Sequence, residues 1–208
     1  MKKLRNLLEG LKLISSNGDL DMDILGVSTN SKLTEEGHIF FAVKGNSIDG
    51  HKFIDAAIKK GCNCVICSIL PKKIYSNVSY IQVENIRIAV NKISAKFYDN
   101  PAKKLKVIAV TGTNGKTSIV YFLNKFLLLI NKKVGMLSTI ENKIEGKSIT
   151  SSLTTPDPIE INKLMSEMVE KGIEYCVMEA SSHAIDQIRI TGSDVYLAIF
   201  SNISHDHL

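Results

Sequence analysis

Residues 110–117, Val-Thr-Gly-Thr-Asn-Gly-Lys-Thr, constrain the fold of this chain more than any other stretch. They follow an apolar run, Val107-Ile108-Ala109-Val110, and lead into a strongly apolar helical pattern from Ser118 onward. A strand, a glycine-containing turn and a helix in that order make a phosphate cradle. The turn points backbone N–H groups inward, the helix N-terminus adds positive potential, and a lysine reaches the outer phosphates. The strict pattern G-x-x-x-x-G-K-[ST] is not met, because Val110 stands where its first glycine belongs. What remains is a shorter variant containing threonine and asparagine.

The patterns on either side of this loop predict alternating strands and helices. Upstream, residues 39–43, 64–67 and 80–83 read as strands. A helix follows from Asn85, its N-cap, with Ile86, Ala89, Val90, Ile93 and Phe97 on one face. Leu4, Leu7, Leu8 and Leu11 recur at helical spacing and predict an amphipathic N-terminal helix. A polar, proline-containing seam at 98–104 separates two αβ patterns, giving expected domains at 1–102 and 103–208. Beyond it come a strand at 105–110, a helix at 117–130 and a strand near 133–139. Asp157 as N-cap, Pro158 at the first helical position and Glu160 three residues after the cap announce another helix. Ile161, Leu164, Met165 and Met168 give it one apolar face. Strands at 175–180 and 194–200 complete the pattern. The expected class is α/β: an N-terminal α/β domain, then an incomplete, mostly parallel doubly wound domain of P-loop type. Ligands gather beyond the C-terminal strand ends of such sheets.

Composition removes other classes. The 208 residues carry a net charge of +5, but the lysines are scattered and aromatics make up only 6%, so the positive charge reads as a solvated surface and not as a nucleic-acid face. Charged residues interrupt the N-terminus before it can form a signal-peptide core, and no run approaches membrane-spanning length. The chain reads as a cytoplasmic protein. Cys62, Cys64 and Cys67 invite a metal reading, but strand alternation would put Cys62 and Cys64 on one face and Cys67 on the other. Buried, reduced thiols are the expectation.

Four candidate elements follow strand ends in the second half: the phosphate loop, Thr154-Thr155, residues 178–183 with Gln187 and Arg189, and residues 201–208. Glu179 closing a buried strand supplies the carboxylate that a magnesium site needs beside the Thr117 hydroxyl. Thr154-Thr155 and Ser181-Ser182 have a plainer reading as helix caps. His183 reads as a core histidine satisfied by backbone. His205-Asp206-His207 could be a metal cluster or an exposed chain end.

Together these residues resemble the Mur ligase family, the ATP-dependent amide-bond ligases of peptidoglycan precursor synthesis. The match runs through Thr111-Gly112-Thr113-Asn114-Gly115-Lys116-Thr117. Within the family, Leu153-Thr154-Thr155-Pro156-Asp157-Pro158 and Met178-Glu179-Ala180-Ser181-Ser182-His183 look like the MurE-type members, which add the third residue of the stem peptide. Asn202 and Asp206-His207-Leu208 are similar to the family's Asn-x-x-x-Asp-His-Leu segment. Residues 29–32, 37–45 and 49–54 resemble its UDP-binding domain, with Asn30-Ser31-Lys32 in place of the usual Asp-Ser-Arg.

The resemblance implies ATP and Mg²⁺ as cofactors. Thr111, Gly112, Thr113, Asn114, Gly115, Lys116 and Thr117 would hold the phosphates; Thr117 and Glu179 would bind one magnesium, and His207 would approach a second. Lys116, Glu179 and His207 would carry the catalysis. Thr29, Ser31, Asn46, Ser47 and Ile48 would sit against the uridine nucleotide. Thr154, Thr155, Ser181, Gln187 and Arg189 would hold the muramoyl dipeptide, Arg189 pairing with its carboxylate. The implied partners are UDP-N-acetylmuramoyl-L-alanyl-D-glutamate and an amino acid, diaminopimelate or lysine, joined through an acyl phosphate by a monomeric enzyme. The resemblance also implies that 208 residues end within the central domain, short of a magnesium-bridging lysine and a C-terminal domain, so that the chain alone is not expected to turn over. Other readings are a folylpolyglutamate synthase-like ligase and a non-catalytic nucleotide-binding fragment.

Overall fold

A computed structural model describes residues 1–45, 48–150, 153–190 and 194–204. The chain divides into two compact units, Met1–Phe97 and Tyr98–Leu208.

The first unit contains β1 (Lys2–Lys3), α1 (Leu4–Leu8), β2 (Leu13–Asn17), β3 (Asp23–Ile24), β4 (Gly26–Ser28), β5 (His38–Ala42), α2 (Ile54–Lys59), β6 (Cys64–Cys67), β7 (Ser79–Val83) and α3 (Ile86–Phe97). Its main sheet runs β2-β7-β6-β5-β4, parallel except for β2 at the edge. The Asn85 carboxamide accepts from the amides of Arg87 and Ile88, so the expected cap of α3 is present. The N-terminal helix is shorter than the leucine spacing predicts. It ends at Leu8, because Gly10 turns the chain at a φ of +73°; Leu11 then lies outside it and β2 follows.

All four cysteines are free and buried. Their expected facing needs correction. Cys62 precedes β6, after Gly61 turns at a φ of +105°, so strand alternation does not reach it. Cys62 packs in one cluster with Val65 and Cys67, and not with Cys64. Burial pushes the thiols of Cys62 and Cys67 up to about 11 and that of Cys176 up to about 12.

The second unit contains β8 (Lys106–Thr111), α4 (Lys116–Leu129), β9 (Val134–Leu137), β10 (Glu141–Ile144), β11 (Lys147–Thr150), α5 (Pro158–Glu170), β12 (Tyr175–Glu179), α6 (Ser182–Asp186) and β13 (Val195–Phe200). The sheet order is β11-β10-β9-β12-β8-β13; β9, β12, β8 and β13 are parallel, and β10 and β11 form an antiparallel margin. The central strands are buried on both faces and sort by alternation. Val107, Ala109, Cys176 and Met178 join the Ile161, Leu164, Met165 and Met168 face of α5. Ile108, Val110 and Val177 join Val120 and Leu127 of α4. Asp157 caps α5 through the amides of Ile159 and Glu160. Among the described residues no helix is long and apolar enough to cross a membrane.

Candidate functional site

The same alternation that fills the core places the acidic residue. In β12, Met178 faces α5 and Val177 faces α4, so Glu179 returns to the α4 side, where that helix begins. Glu179 is 1% exposed, and its carboxylate is matched by two donors. The Thr117 hydroxyl donates to Oε2 at 3.0 Å and the Thr139 amide to Oε1 at 2.7 Å. A buried carboxylate without such donors would be strongly unfavourable.

The loop between β8 and α4 is clasped from the strand beside it. The Thr113 amide donates to the Asn202 carbonyl at 3.0 Å, and the Asn114 amide to Asn202 Oδ1 at 3.0 Å. Ser201 Oγ donates to the Asn114 carbonyl at 2.7 Å. Gly112 sits at a φ of +134°, and a Cβ there would lie 2.1 Å from Ser201 Oγ, so only glycine fits. Lys116 Nζ turns back onto the carbonyls of Gly112 (2.7 Å) and Thr113 (2.9 Å). Thr111, Gly112, Thr113, Lys116, Asn202 and Ser204 help line a cleft of about 390 Å³.

A second cluster grows from the other side of Glu179. Thr155 is fully buried; its hydroxyl donates to the Glu179 carbonyl at 2.9 Å and accepts the Ser181 amide at 3.1 Å. Ser181 caps α6 through the Ala184 amide. Arg189 donates to the Thr155 carbonyl at 2.7 Å and through Nη2 to Gln187 Oε1 at 2.7 Å. Thr155, Ser181, Gln187 and Arg189 are therefore brought together with Glu179, and the capping and clustering readings of Ser181 hold at once. Thr154, beside Thr155, is half-buried. His183, expected in the core, is exposed on α6, because that five-residue helix buries only Ala184.

In the first unit, Thr29 and Ile48 are exposed and Ser31 is half-buried; the adjoining turn is closed by Ser28, Asn30 and Thr34 instead. Asn46, Ser47 and His207 lie outside the described residues. Sequence reasoning missed Thr139, which contributes a backbone N–H and so leaves no side-chain signal; Ser201 lay within the candidate element 201–208 but was given no role.

The chain's residues fit the groups that a phosphate loop implies. A hydroxyl and a carboxylate 3.0 Å apart are hard oxygen donors suited to Mg²⁺, which keeps water and phosphate as its other ligands. Among the described residues there is no group of three or more His, Cys, Asp or Glu arranged to hold a metal.

Comparison with known proteins bears on the family. Residues 110–208 match the family described as Mur ligase middle domain, and residues 23–114 match that described as Mur ligase family, catalytic domain. The chain belongs to the Mur ligase family. A UDP-N-acetylmuramoyl-L-alanyl-D-glutamate–2,6-diaminopimelate ligase of Phocaeicola vulgatus is 42% identical over 206 residues, covering 99% of this chain and 43% of its own length. Its namesake "ligase 1" from Clostridium acetobutylicum is 41% identical over 206 residues, covering 99% and 42%. Among solved structures, a UDP-N-acetylmuramoyl-L-alanyl-D-glutamate–2,6-diaminopimelate ligase superposes on the whole chain with a TM-score of 0.81 at 25% identity, over 41% of its own length. A Thermotoga maritima MurF ligase in complex with ADP gives 0.55 at 25% identity, over 86% of this chain and 38% of its own. The chain spans about two fifths of the length of the curated relatives it matches.

Proposed function

We propose that the chain is part of a MurE-type ligase, joining an amino acid to UDP-N-acetylmuramoyl-L-alanyl-D-glutamate at the expense of ATP in the cytoplasm. The observation that carries this reading is the buried Glu179 carboxylate 3.0 Å from the Thr117 hydroxyl, directly behind the lysine of the phosphate loop. The relatives matched along the chain and named for this reaction support it.

Mg·ATP supplies a transferable phosphoryl group that activates a carboxylate. This chain's residues do the rest of the assigned work. Backbone amides of the first turn of α4, beginning at Lys116, face the phosphates, those of Thr113 and Asn114 being held by Asn202, and Lys116 exchanges the loop carbonyls for phosphate oxygens. Thr117 and Glu179 hold the magnesium, and His207 is assigned to a second. Arg189, already fixed by Gln187, offers a guanidinium to the dipeptide carboxylate beside Thr154, Thr155 and Ser181. Thr29, Ser31, Asn46, Ser47 and Ile48 are assigned to the uridine nucleotide, within a nucleotide-sugar domain at 1–102; the ATP domain begins at 103.

Titration calorimetry with Mg·ATP and with UDP-N-acetylmuramoyl-L-alanyl-D-glutamate tests this. Both ligands bind the wild-type chain. Lys116→Ala weakens ATP by about tenfold or more, the scale of one charge-assisted contact, and leaves the dipeptide nucleotide unchanged. Binding of neither ligand overturns the reading; preference for a folate moves the chain to the folylpolyglutamate branch.

A further inference from the structure

Asn142 stands where the fold asks for an apolar residue. It is 0% exposed in β10, and alternation puts it on the same face as Ile144, which belongs to the α5 core cluster. Its Nδ2 is buried with no hydrogen-bond partner among the described residues. An unsatisfied donor in an apolar layer is unfavourable and calls for an explanation.

The other end of the same side chain provides one. Asn142 Oδ1 accepts the Ser138 amide at 3.3 Å, and Ser138 Oγ donates to the Glu141 carbonyl at 3.1 Å. These two bonds close the turn joining β9 to β10. Ser138 is 1% exposed, whereas the next residue, Thr139, is exposed. The turn therefore has an anchored base and an open tip. From that tip the Thr139 amide reaches Glu179 Oε1 at 2.7 Å. The donor to the other oxygen is the Thr117 hydroxyl, itself assigned to the cation.

We propose that Ser138 and Asn142 are positioning residues for the cation site: they fix the 138–142 turn so that the Thr139 N–H holds the Glu179 carboxylate in its ligating orientation. This rests on the reading of Glu179 as a magnesium ligand. Neither side chain touches the cation or a substrate in this account; both act through one backbone amide.

Two variants test it. Ser138→Ala removes the hydroxyl with little change of volume. Asn142→Leu removes the acceptor together with the unpartnered Nδ2, so its thermal midpoint stays within about 5 °C of wild type. In both, hydrogen exchange at the Thr139 amide, followed without nucleotide, accelerates at least about tenfold, and the Mg²⁺ concentration giving half-maximal ATP binding rises about fivefold. Binding of UDP-N-acetylmuramoyl-L-alanyl-D-glutamate is unchanged. A Thr139 amide that exchanges as in wild type, or a Mg²⁺ midpoint within twofold of wild type, overturns the role of the turn. A wild-type chain that binds no ATP at any Mg²⁺ concentration overturns the assignment of the site itself, and the positioning role with it.

Discussion

The two units handle a carboxylate near their strand ends in opposite ways. In the first, Asp49 keeps 37% of its side chain exposed and pairs at 2.7 Å with Nδ1 of His51, whose other ring nitrogen lies 3.3 Å from Ser68 Oγ. The His51 amide and ring hold its carboxyl below the usual carboxylate range. In the second, Glu179 is almost completely enclosed, with a hydroxyl and an amide as its donors. Water can replace a lost partner of Asp49 but not one of Glu179. Enclosure suits a group whose orientation must not drift.

The largest expected effect breaks the second unit's site without touching the first. Gly112→Ala forces a methyl into Ser201 Oγ at a backbone angle that L-residues avoid. A strain of about 3 kcal/mol lowers ATP affinity about 100-fold, while calorimetry shows the dipeptide nucleotide still bound. Thr117→Val tests the contrast between the carboxylates directly. Removing one of the two donors to a buried carboxylate lowers unfolding free energy by about 1–3 kcal/mol. His51→Ala, which strips Asp49 of its ring partner, shifts the denaturation midpoint less; equal shifts would contradict the contrast. A further effect appears in alkali. The raised thiols bind protons more tightly in the folded state, so the stability they support is complete below about pH 9 and declines as pH rises towards 11 to 12. Three of the four cysteines lie in the first unit, so residue-resolved exchange between pH 8 and 10.5 shows that unit loosening first.

Where local chemistry declares itself, the sequence was readable. The cap at Asp157, the apolar stripe of α5, the phosphate loop and the strands at 64–67 and 80–83 all carry side chains whose type follows from their position. Elements held by backbone pairing were not readable. β2 is exposed at every residue and exists because it pairs with β7, a partner some 65 residues away. The β10–β11 hairpin turns through Glu145 and Gly146, both at positive φ, without the Asn-Gly or Asp-Gly that would announce it. The site divides in the same way. Thr117, Glu179, Thr155 and Ser181 were visible as residue types near strand ends, whereas Thr139 contributes only a peptide N–H, which every residue but proline possesses.

Lys116 has a consequence for selectivity among anions. Its ammonium is coordinated by two peptide carbonyls of its own loop, at 2.7 and 2.9 Å. An anion that recruits it must displace those oxygens as well as water. A polyphosphate, with several negative oxygens, competes for the ammonium better than chloride or a lone carboxylate does. Any anion drawn to Lys116 thus meets the loop's own backbone as its competitor.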